Sequence, residues 1–219
     1  MTAAAVGVLA STETKSAAIR ARIDDEIADL IAALPDPAQL SEAQRRDLIA
    51  RYTAVLEGNF IYWMTGAYLA AGSDEARAKI IDNLREEVRD CHPGMLRRFT
   101  TAAAALPTDR DAQAVARNLS DVRLFIGRLT SVPIVVTMAF FEGFIQRFMP
   151  YLAELARRQG SSEMEYTDVH GICDVTHTEE LYRALDAELE LTPPLSDAEL
   201  FEGVGLLRAL MTNIVHGEK

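Results

Sequence analysis

The chain has little cysteine, little histidine and no excess of basic charge. It carries two cysteines, Cys91 and Cys173, among 219 residues. That is too few for a disulfide framework, and neither sits at a zinc-finger spacing, so a reducing cytoplasm is the expected compartment. The formal net charge is -11. A phosphate backbone needs a basic face, so nucleic acid is not an expected partner, and an anionic membrane surface is disfavoured for the same reason. The apolar run Val132 to Phe141 is broken by Pro133 and Thr137, far short of the ~20 residues that cross a bilayer. The small apolar start, Met1 to Ser11, lacks the basic n-region and long apolar core of a signal peptide. No stretch alternates apolar and polar residues as a half-buried strand does.

What is present is helical. Hydrophobic residues make up 49% of the chain and charged residues 25%, the balance of a globular domain with a sizeable core. Proline and glycine fall between periodic segments. The pattern predicts a first helix over about Glu13–Leu34, stopped by Pro35-Asp36-Pro37. Ser41 with Gln44 reads as a capping box opening a second helix, which ends at Gly72. Ser73 caps a third, to about Asp90, and Pro93 opens a fourth, to Leu106-Pro107. A long helical region from Asp109 to Gln159 is interrupted near Thr130-Ser131. Ser161 or Ser162 starts a helix reaching Leu191, and the last runs from about Ser196 to His216. The expected fold is all-α: a single domain over 1–219, a bundle of seven or eight helices, with residues 1–12 expected to be disordered.

The informative feature of such a bundle is a charge where the core should be. In the second helix Glu57 lies on a stripe with Ala50, Ala54, Ile61 and Met64. Glu142 is embedded in Val132–Phe148, between Phe140-Phe141 and Phe144-Ile145. A lone buried carboxylate costs several kcal/mol or protonates. Two on separate core helices want a shared cation, unless each pairs with an arginine; Arg123, Arg128 and Arg147 are at hand.

His170, Asp174 and His177 stand at i, i+4 and i+7. At roughly 100° per residue they share one helical face. Two imidazoles and a carboxylate on one face suit a first-row transition metal, whereas a single histidine there would more often be a cap or a solvated residue. His216, beside Gly217, reads as a helix-end histidine. In Asn83–Leu96, NLREEVRDCHPGML, Glu86 or Glu87 lies near a helix end and His92 precedes Pro93. On a continuous helix Glu87 and His92 would be roughly 140° apart. A break at Asp90-Cys91 would let His92 swing back.

This pattern resembles the haem-oxygenase-like di-iron oxidases and oxygenases, relatives of the TenA and PqqC helical bundles. That family holds two irons with a core-helix glutamate, a glutamate and histidine after an N-L-x-x-E segment, a central-helix glutamate and an H-x3-D-x2-H motif. The matching positions are Glu57, Glu87, His92, Glu142, His170, Asp174 and His177, over about Tyr52 to Leu181. Only VRDC separates Glu87 from His92, a shorter interval than is usual in the family. The choice of Glu86 or Glu87 stays open, with Glu87 preferred by position. True haem oxygenases use a histidine near the N-terminus, and none precedes His92 here.

The resemblance implies two Fe ions held by these residues, with Mn as a substitute metal and O2 as co-substrate. It implies oxidation of a small amino-acid-like, amine or fatty-acid substrate, by N-oxygenation or by C–H or C–C cleavage, in secondary metabolism. An external electron donor and a homodimeric state are compatible with it. Two other readings remain: a metal-independent TenA-like hydrolase using Cys173 as nucleophile, and a non-catalytic helical interaction module. Metal analysis separates the first reading from these two. Tyr62 and Trp63 are candidate pocket residues because they follow Glu57, and Arg123 and Arg128 are candidate carboxylate binders.

Overall fold

The computed structural model describes the backbone of residues 3–217 and the side chains of 15–217, Cys173 excepted. The reading that rests on the Cys173 thiol therefore lies outside the described residues, as do residues 1 and 2 and the side chains of the segment 1–12 that was expected to be disordered. Eight helices follow one another: α1 (Ala3–Ala32), α2 (Glu42–Ala70), α3 (Asp74–Arg89), α4 (His92–Ala102), α5 (Asp109–Ile126), α6 (Ser131–Arg158), α7 (Glu165–Leu191) and α8 (Asp197–His216). No strand occurs among the described residues.

Local chemistry sets most of the boundaries. The Ser41–Gln44 capping box is formed at the start of α2, and Ser73 caps α3 through the Ala76 N–H. Two further boxes, Thr108–Asp111 and Ser196–Glu199, open α5 and α8. Pro133 falls in the first turn of α6, where its missing N–H has no intrahelical acceptor to lose. Three boundaries differ from the sequence reading, one of them the start of α7, at Glu165 instead of Ser161 or Ser162. The first helix begins at Ala3 instead of Glu13, and α4 ends at Ala102, four residues before Leu106. Ala104 there takes φ +51°, which ends the helix in a way periodicity does not reveal.

α6 is the axis of the bundle and packs on α1, α2, α7 and α8. By length and composition it is apolar enough to cross a membrane, but 89% of its apolar window is buried by the other helices. α8 approaches closely at Gly203: a Cβ there would lie 2.2 Å from Thr137 Oγ1 and 2.4 Å from the Phe125 ring. Glu188, 1% exposed, ties three helix ends together. Its carboxylate accepts from the N–H groups of Gly72 and Ser73 and from the hydroxyls of Ser73 and Ser131. Two helix N-termini thereby share one anion, which favours its ionised form.

Candidate metal centre

Four helices bring six of the seven predicted ligands together. α3 supplies Glu87, α4 His92, α6 Glu142, and α7 supplies His170, Asp174 and His177. None of the six is more than 6% exposed. They form two groups, Glu87–His92–His170 and Glu142–Asp174–His177, and in each group the donor atoms lie within 4.8 Å of one another.

The chain break after α3 makes the first group. Asp90 closes α3 and Cys91 takes a left-handed φ of 57°, reversing direction so that His92 opens α4. His92 Nδ1 then lies 2.7 Å from Oε1 of Glu87. Burial alone would push the His92 ring down, but the hydrogen bond and charge of Glu87 outweigh it and hold it above its ordinary value. His170 packs against His92 with ring centroids 4.5 Å apart. Its Nδ1 donates to the Tyr166 carbonyl at 2.8 Å, so Nε2 carries the lone pair, 3.9 Å from Glu87 Oε1. Burial lowers the ring to about 4, which keeps it neutral, the form that ligates metal.

In the second group Glu142 is 2% exposed. Burial pushes its carboxyl up to about 7, against the opposing pull of His177 and of a hydrogen bond from Asn83. Asn83 Nδ2 donates to Oε1 at 2.6 Å, a contact that is invisible in the sequence because it joins α3 to α6. His177 Nδ1 lies 3.7 Å from Glu142 Oε1 and 3.8 Å from Asp174 Oδ1. It is buried and makes no hydrogen bond among the described residues.

Glu57 is placed elsewhere. α2 kinks at Glu57 (ψ 65°) and Gly58 (φ 117°), so the apolar stripe read through this position is not continuous. The carboxylate pairs with Arg97 of α4 and joins neither group. The arginine pairing weighed for Glu57 is therefore realised, though with Arg97. Arg123 instead binds Asn59, Arg128 binds Glu202 and Arg147 binds Asp24. Glu86 is not in either group; it lies 3.0 Å from the outer nitrogen of His177.

A cleft opens onto both groups; it encloses about 20 Å³ of room for water, and about 400 Å³ only when space open to solvent is counted. Its walls include Leu56, Phe60, Ile61, Leu96, Phe141 and Ile145, with Tyr166 beside His170, and no lysine or arginine lines it. The candidates drawn from sequence miss this lining. Trp63 is fully buried against Phe141 and Tyr62 is 48% exposed; neither reaches the cavity, nor do Arg123 and Arg128. The lining depends on how α2, α4 and α6 face one another, and periodicity does not carry that.

The donor set fits iron on physical grounds. Three carboxylates lie out of water around a cavity with no lysine or arginine in its lining, each at a desolvation cost of several kcal/mol. A buried imidazole nitrogen without a hydrogen bond faces two of them. Divalent cations held by mixed carboxylate and imidazole donors relieve both conditions. A family model described as iron-containing redox enzyme matches residues 48–210. The chain belongs to that family. The match spans all four helices that carry the clustered residues, and so all six of the residues themselves. Membership makes the protein an iron-containing redox enzyme and bears out the haem-oxygenase-like resemblance. No curated protein and no solved structure matches the chain.

Proposed function

We propose that the protein is an O2-dependent, non-haem di-iron oxidoreductase acting on a small molecule with an apolar alkyl or aryl part. The observation that carries this reading is the pair of buried donor groups facing one cavity. Glu87, His92 and His170 would hold one iron, and Glu142, Asp174 and His177 the other. Glu57 belongs to the set by resemblance alone. When bound, the two irons would supply the electrons that reduce O2 and the oxidising power that attacks a C–H or N–H bond.

The protein's own part is positional. The apolar wall from Leu56 to Ile145 would seat the unreactive part of the substrate and exclude water from the reacting bond. His170, held neutral with its Nδ1 proton on the Tyr166 carbonyl, presents Nε2 in a fixed direction. The lining offers no lysine or arginine to clamp a carboxylate. This favours an apolar amine over a polar amino acid, and over a fatty acid that would have to be held by its carboxylate. An external electron donor balances the reaction where the substrate supplies too few electrons, and a reducing cytoplasm suits Fe(II) loading.

The test is oxygen uptake by anaerobically Fe(II)-loaded protein, mixed with O2 and a panel of alkyl amines, fatty acids and polar amino acids. Uptake stimulated by the alkyl amines, and absent without iron, is the expected result. Equal uptake by metal-free protein would overturn the reading.

A further inference from the structure

The two histidines on the metal-facing side of α7 present opposite ring nitrogens, and each is oriented by a different acceptor. At His170 the acceptor is its own helix: the Tyr166 carbonyl takes the Nδ1 proton and leaves Nε2 inward. At His177 the arrangement is reversed. Nδ1 faces Glu142 and Asp174, and Nε2 lies 3.0 Å from Oε2 of Glu86. An ionised carboxylate only accepts, so Nε2 carries a proton and Nδ1 is the nitrogen left to ligate.

Glu86 and Glu87 are neighbours on α3, roughly 100° apart around the helix axis. Glu87 turns inward to His92. Glu86 stays at the rim, with its side chain 43% exposed, and reaches across to α7. The His177 ring stands between Glu86 and the inward carboxylates, so Glu86 is on the far side of the ring from the second donor group.

We propose that Glu86 is the positioning residue of the second metal site. It holds the His177 proton on Nε2, fixes the ring plane and so directs Nδ1 at the ion shared with Glu142 and Asp174. The inference rests on the metal-centre reading above and adds a residue outside the ligand set. Losing such an outer acceptor typically weakens metal affinity about 10- to 100-fold. A silent Glu86 is what its exclusion from the ligands alone would suggest.

The experiment is an anaerobic Co(II) titration, followed by visible absorption, of wild type, Glu86→Gln and Glu86→Ala. It is paired with ¹⁵N-histidine NMR of the Zn(II)-loaded proteins. Circular dichroism checks that each variant keeps its helices. The wild type is expected to fill both groups with His177 bound through Nδ1. Glu86→Ala is expected to keep the first site and weaken the second by about 10- to 100-fold, with mixed His177 nitrogen signals. Glu86→Gln keeps an acceptor oxygen and is expected to recover most of the affinity and the Nδ1 signature. Three results would overturn the inference: unchanged second-site affinity in Glu86→Ala, a Glu86→Gln variant as weak as Glu86→Ala, or Nε2 as the bound nitrogen in wild type. If wild type binds no Co(II), the metal-centre reading falls and this inference with it. Wild-type binding that is indifferent to Glu86 sinks the inference alone.

Discussion

Replacing Glu142 by glutamine should stabilise the metal-free protein while destroying its second metal site. Glu142 sits in the most buried helix, with its carboxyl held above the ordinary carboxylate value chiefly by burial. The sign follows from that direction. A carboxyl raised in the folded state contributes full stability below its unfolded value, about pH 4.3, and that stability is lost as pH rises through the folded value. At 1.36 kcal/mol per tenfold change in proton affinity, the penalty at pH 8 is about 2–4 kcal/mol. Glutamine keeps the acceptor for Asn83 Nδ2. For a chain of this size each kcal/mol moves Tm by about 2–4 °C. Metal-free Glu142→Gln should therefore melt about 5–10 °C above wild type at pH 8, and the gap should close near pH 5. With Mn(II) at about 1,000 times its Kd the order should reverse, because that adds about 4.1 kcal/mol to wild type. Thermal scans at both pH values, with and without Mn(II), read all four terms. A metal-free variant less stable than wild type at pH 8, or one stabilised by Mn(II) as much as wild type, would refute the reasoning.

Two structural predictions are independent of metal. Glu188→Ala orphans the N–H groups of Gly72 and Ser73 and should cost about 3 kcal/mol, a Tm fall of about 6–12 °C. Burial pushes the Glu188 carboxyl up, but the hydrogen bonds from Ser131, Ser73 and Gly72 outweigh it and hold it low. Its contribution is therefore present above about pH 4.3 and fades as pH falls below that, so the variant and wild type should converge in acid melts. Gly203→Ala forces a methyl group against Thr137 and Phe125 and should destabilise by about 1–3 kcal/mol in urea unfolding.

The sequence is most legible where function depends on local geometry. His170, Asp174 and His177 need only the period of one helix to share a face, and they do so in α7. Glu142 stands out because its neighbours on α6 are apolar on every side. The reversal that joins Glu87 to His92 is readable from Pro93 and the shortness of VRDC, since no continuous helix lets them meet. Glu57 is different. Its place on a stripe assumes unbroken helix, and Gly58 allows a positive φ that turns the side chain to Arg97. The Asn83 and Glu86 contacts depend on how α3 meets α6 and α7, and the cavity wall on how α2, α4 and α6 face one another, which no single helix encodes.

The most direct test of the central claim is an anaerobic Fe(II) titration with iron counted per chain. The account predicts saturation at two irons per chain in wild type, one in Glu142→Gln, and a loss at the second site in His177→Ala. Saturation at zero, or a stoichiometry unchanged in His177→Ala, would contradict it.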